Sequence, residues 1–146
     1  MLLGIRHSGY IVSDIDVSRQ FYETILGFEV MQAFEDSSDY INDITCTTDA
    51  VVKMVKMKSL DGSVIEILSY TGAVSPTTKP RVPIYNVGEA HLAIQVDNAD
   101  KFYKHLKEKN IRTLSKPILS SEGFAKVFFC LDPDDYRVEV VEILNE

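Results

Sequence analysis

Apolar and polar positions along the chain alternate, then fall at helical spacing, then alternate again, and this order occurs twice. From Leu3 to Val12 the residues Ile5, His7, Gly9 and Ile11 fall on one face of a predicted strand, and Ser8, Tyr10 and Val12 on the other. Ser13 or Asp14 can cap a helix in which Ile15, Ser18, Phe21, Tyr22, Ile25 and Leu26 recur at helical spacing, with Gly27 as its stop. Phe21 and Tyr22 are read as core. A strand is predicted over 28–34. The polar stretch from Glu35 to Asp43 then reads as a solvated connection, long enough to act as a lid. Asp49 to Lys58 alternates as a strand, Asp61-Gly62 turns a hairpin, and Ser63 to Tyr70 returns with Val64, Glu66, Leu68 and Tyr70 on one face and Ile65 and Ile67 on the other.

Thr71 to Glu89, carrying Gly72, Pro76, Pro80, Pro83 and Gly88, is the one long irregular connection. After it the plan repeats. A strand is predicted over 90–96, a helix over 99–109, a short strand over 111–114, and strands over 124–131 and 136–143 joined by the turn Asp132-Pro133-Asp134-Asp135. Setting His7 on His91 also brings Val12 onto Val96, Asp16 onto Asp100 and Phe21-Tyr22 onto His105-Leu106. The expectation is an α+β domain over 1–146, with one half at about 1–72, a linker at about 73–88 and a second half at about 89–146.

Composition narrows the function classes. With 146 residues and 45% apolar content the chain can bury a core of ordinary size. A net charge of −7 argues against nucleic acid or an anionic membrane as partner. No apolar run approaches the roughly 20 residues of a membrane span, and the opening Met1-Leu2-Leu3-Gly4-Ile5-Arg6 lacks the layout of a secretory signal, so a cytoplasmic location is expected. Cys46 and Cys130 are too few for a disulfide framework and read as reduced thiols, with Cys130 in a strand core. His105 sits in a lysine-rich helical run and reads as part of a solvated face.

Four residues carry the candidate chemistry. Each half opens with a histidine on its first strand, His7 or His91, and closes with a strand holding one carboxylate among apolar residues, Glu66 or Glu139. A carboxylate so placed is costly unless paired, hydrogen-bonded or bound to a metal. If the halves pack about a pseudo-twofold, the four side chains converge. Two neutral imidazoles and two carboxylates balance one divalent cation, and such a set suits Ni, Co, Zn, Mn or Fe with two positions left for water or a chelating substrate.

The stretches HSGYIVSDIDVSRQFYETILGFEV, GSVIEILSY, EAHLAIQVDNADKFYKHLKEKNI and DPDDYRVEVVEIL resemble the vicinal oxygen chelate superfamily, which includes glyoxalase I, methylmalonyl-CoA epimerase, extradiol dioxygenases, and the fosfomycin and bleomycin resistance proteins. The resemblance implies two tandem βαβββ modules forming a cupped mixed sheet around the metal with helices outside, ligands at His7, Glu66, His91 and Glu139, and a homodimer. A carboxylate at Glu66 favours glyoxalase- or epimerase-like chemistry, because an extradiol dioxygenase of this family leaves that position free of metal. The glutathione-binding arginine and asparagine of glyoxalase I would fall near Ile11 and Tyr70, where neither residue type stands, which argues against glutathione.

The expected activity is thus that of a metal-dependent isomerase or lyase on a small substrate with neighbouring oxygens, working through a metal-stabilised enediolate with Glu139 or Glu66 as general base. Val64, Leu68, Tyr70, Ala93, Gln95 and Arg137 share strand faces with the ligands and are the candidate pocket lining. The competing readings are an extradiol-type dioxygenase and a metal-free protein that binds an antibiotic or other small molecule.

Overall fold

The computed structural model describes residues 1–74, 76–77 and 80–144. Residues 75, 78 and 79 of the expected linker and 145–146 at the end of the expected second half lie outside the described residues. The chain forms two compact units, Met1–Lys79 and Pro80–Glu146.

In the first unit β1 (Ser8–Ile11) leads into α1 (Ile15–Gln20), which continues as a π-helical stretch at Phe21–Ile25; β2 (Glu29–Asp36), α2 (Asp39–Thr45), β3 (Ala50–Lys58) and β4 (Val64–Gly72) follow. The sheet order is β1-β4-β3-β2, with β1 parallel to β4 and the other pairs antiparallel. Asp14 caps α1 by accepting from the backbone N–H groups of Asp16 and Val17 at 3.0 and 3.1 Å. The helix buries Phe21 and Tyr22 as expected, and Tyr22 meets Tyr10, Phe21 and Phe28 ring to ring. Val55, Met57, Ile65 and Ile67, all buried, supply the sheet side of this core.

Two expectations for this unit are corrected. The first strand begins at Ser8, not Leu3: its partner β4 starts at Val64, so residues 3–6 have no backbone to pair with, and Leu2, Leu3 and Ile5 are exposed. The expected polar loop is neither lid nor plain connection. Glu35 and Asp36 extend β2, and 39–45 is α2, whose Ile41 packs with Val52 and Leu68. The Asn42 side chain accepts from the Ala50 N–H at 3.0 Å, and Cys46 in the left-handed region (φ 53) ends the helix. Thr71 and Gly72 also extend β4 into the irregular connection expected over 71–89, and Gly72 (φ +88) lies so close to Asp49 that a Cβ would stand 2.2 Å from its carbonyl oxygen.

The second unit runs β5 (His91–Gln95), α3 (Ala99–Glu108), β6 (Ile118–Leu119), β7 (Ala125–Leu131) and β8 (Arg137–Ile143) in the order β5-β8-β7-β6, again with the first strand parallel to the last. Asn98 accepts from the Lys101 N–H and the buried Glu142 carboxylate from the Ala99 N–H, both at 2.8 Å, at the start of α3. Leu106, Phe128, Cys130, Val138 and Val140 form the core. The strand expected over 111–114 reduces to one bridge, Thr113 to Cys130; the paired strand is β6, beyond Pro117. His105 is half-buried beside the Phe102 ring, not on a fully solvated face. The two four-stranded mixed sheets with their helices make the α+β fold of tandem βαβββ modules, and no described helix is long and apolar enough to cross a membrane.

Two outcomes are expected. Ile41→Ala should cost about 2 kcal/mol or more of stability in urea unfolding and open 39–45 to limited proteolysis; unchanged cleavage would show that Ile41 does not anchor α2. Burial pushes the Cys130 thiol up from 9.0 to about 12. The unfolded chain therefore releases this proton before the folded one does, so the contribution is intact below pH 9 and is lost as pH rises toward 12. Cys130→Ala should flatten that alkaline slope, and alkylation of the native protein should label Cys46, which is exposed, ahead of Cys130.

Candidate functional site

Glu66 lies on the face of β4 opposite Ile65 and Ile67, and the parallel pairing of β1 with β4 sets Gly9 beside it. His7, two residues ahead of Gly9, thereby reaches Glu66: its Nε2 stands 3.2 Å from Oε2. The second unit repeats this. β5 runs parallel to β8 with Ala93 beside Glu139, and His91 Nε2 stands 3.0 Å from Glu139 Oε2. Each histidine is thus held against the glutamate of its own half. Gly9 and Ala93 are the small residues set beside the two glutamates by the parallel register, and a Cβ at Gly9 would meet the Leu68 side chain at 3.6 Å.

The two pairs differ in their surroundings. Glu66 is 6% exposed and holds a second ion pair, from Lys56 Nζ to Oε1 at 3.4 Å. In the second unit the position opposite Glu139 is Phe129, whose ring meets His91 edge to face at 5.5 Å. Glu139 is the more open carboxylate, its side chain 25% exposed against 8% for Glu66. Burial disfavours a bare carboxylate, and Glu66 has both oxygens matched by nitrogen. No group of three or more His, Cys, Asp or Glu side chains placed to hold a metal ion occurs among the described residues.

Lys56 was not among the residues expected at the site, although the signal for it is in the hairpin. A turn centred on Asp61 sets Lys56 and Glu66 opposite one another at equal distances before and after it. That turn is tightly made: the Ser59 hydroxyl, then the Ser63 N–H and hydroxyl, donate to the Asp61 carboxylate and hold it down at about 2.

The expected pocket residues fall on the same faces. Val64 and Leu68 flank Glu66 on β4, and Tyr70 lines a cleft of about 340 Å³ with Ile11, Thr45, Thr47, Val74 and Pro76. Ala93 and Gln95 follow His91 along the exposed face of β5. Arg137, opposite His91, is buried and occupied: its guanidinium donates to Glu89 at 2.8 Å and to the Val82 carbonyl, pinning the segment ahead of β5.

Comparison with known proteins agrees with this architecture. The chain is 34% identical to the uncharacterised protein YwkD of Bacillus subtilis, across 97% of this chain and 98% of that one. It is 24% identical to lactoylglutathione lyase of Schizosaccharomyces pombe over 94% of its own length, and spans about half (46%) of that relative. A solved glyoxalase family protein of Bacillus cereus shares the fold with a TM-score of 0.90, covering 99% of this chain and 97% of that one at 16% identity. The family model for the glyoxalase/bleomycin resistance protein/dioxygenase superfamily matches residues 4–140, a span that takes in all four histidine and glutamate positions. The chain is therefore a member of the glyoxalase/bleomycin resistance protein/dioxygenase superfamily.

Proposed function

We propose that the protein is a divalent-metal-dependent isomerase or lyase acting on a small substrate with neighbouring oxygens, with His7, Glu66, His91 and Glu139 as the protein ligands of one ion. The observation that carries this reading is the doubled pair, an imidazole nitrogen 3.2 or 3.0 Å from a strand carboxylate at the same place in each half. The donor set fits such an ion: nitrogen and oxygen without thiolate suit Ni, Co, Zn, Mn or Fe, and the buried Glu66 carboxylate calls for positive charge. When bound, the metal polarises a substrate carbonyl and acidifies the neighbouring C–H.

The two carboxylates divide the remaining work. Glu66, gripped at both oxygens and buried, is suited to stay in place. Glu139 has one ion-pair partner among the described residues and a more open side chain, so it is the general base. It takes the proton from the carbon beside the carbonyl. Returning that proton to the other face of the same carbon epimerises the substrate; delivering it to the next carbon isomerises it. Val64, Leu68 and Tyr70 on one sheet, and Ala93 and Gln95 on the other, receive the rest of the substrate. Arg137 steadies the wall beside them. Family membership and the lactoylglutathione lyase relative support this chemistry. A homodimer working in the cytoplasm is part of the same proposal.

Protein purified without chelator or nickel resin should carry close to one metal per chain by elemental analysis. Metal should be lost in His91→Ala and held more weakly in Glu66→Gln, with circular dichroism unchanged. A wild type that takes up none of Ni, Co, Mn, Fe or Zn would defeat the reading in favour of a metal-free binding protein. In a screen of 2-oxo aldehydes, 2-oxo acids and acyl-CoA thioesters, Glu139→Gln should lower turnover about 10²- to 10⁴-fold, and equal turnover would remove Glu139 as base.

A further inference from the structure

Lys56 has so far served only as the partner of Glu66 Oε1, yet it stands on the site face. Its register neighbours are Glu66 on β4 and the uncharged Gln32 on β2. Lys58, two residues on, is taken up by Glu29 at 3.2 Å. Among the described residues Glu66 is the one carboxylate paired with Lys56, whose side chain is only 24% exposed. The matching position in the second unit is Phe129, so the positive charge belongs to one half alone.

This placement matters for the substrate, on the metal-enzyme reading above. Two neutral imidazoles, two carboxylates and a divalent ion sum to zero, and Lys56 adds one positive charge. The Glu66 carboxylate takes one of the three ammonium donors at Oε1, so Lys56 keeps free donors, and with that carboxylate already counted against the ion its charge is unbalanced in a largely buried place, which is costly. A substrate bearing one negative charge removes that cost; an uncharged dicarbonyl does not. We infer that Lys56 is a specificity-determining residue and that the substrate is a monoanion with vicinal oxygens, a 2-oxo or 2-hydroxy carboxylate, whose carboxylate pairs with the Lys56 ammonium.

The test is calorimetric binding of pyruvate and of uncharged 2,3-butanedione to the metal-loaded protein, with metal content read on the same samples. Lys56→Met should bind pyruvate about tenfold or more weakly than wild type, with butanedione affinity and metal content unchanged, and Lys56→Arg should recover most of the loss. Equal pyruvate affinity in wild type and Lys56→Met, both fully metallated, overturns the role of Lys56 and leaves the metal reading standing. Loss of metal in Lys56→Met also overturns it, because the lysine then serves to position Glu66. A wild type without metal defeats both readings at once, since the charge count requires the ion.

Discussion

The parallel pairing of first and last strand in each unit is the constraint from which the site follows. Parallel neighbours cannot be joined by a tight turn, so the chain must leave β1, cross over through α1, and return through two further strands before β4 can lie against it. That crossover fills one face of the sheet with the apolar core. The opposite face then receives what the alternation of β4 and β8 sends there, a single carboxylate each, and the parallel register brings up the histidine beside it. Site and core are two sides of one pairing.

The second layer of organisation is the antiparallel hairpin. Once Asp61 and its serine donors set the turn, the residue opposite Glu66 has no freedom: it is Lys56. The same geometry about the Asp132–Asp135 turn puts Phe129 opposite Glu139. A charged neighbour on one carboxylate and an aromatic one beside the other histidine make chemically unequal halves from equal backbones. One glutamate is gripped and buried, and the other is left more open.

Much of this was legible in the sequence, and the reasons are particular. The alternation of Val64 to Tyr70 showed that Glu66 shared a face with apolar residues, and the repeat of His7 at His91 showed that both halves carried the same device. What stayed hidden depended on partners the local pattern does not name. Residues 3–6 alternate as a strand, yet β4 begins only at Val64, too late in the chain to pair with them. The polar run at 35–43 lacks a long helical stripe, because α2 is short and needs only Ile41 to hold it on the sheet. The 111–114 segment has strand composition, but makes one bridge before Pro117 interrupts it. The alternation along β3 alone does not single out Lys56; only the hairpin register, which sets it opposite Glu66, does.

Helix α2 has a counterpart in the second half only in position: where the first unit inserts it between its second and third strands, the second unit turns from β6 to β7 through a short connection. It rests on the site face of its sheet, and its last residue, Thr45, lines the cleft beside Tyr70. The backbone pairing of β1 with β4 does not run through it, although Ile41 packs on Leu68 of β4. A change in the length or sequence of that insertion would therefore reshape the cleft beside Tyr70 while leaving the paired backbones of β1 and β4 as they are.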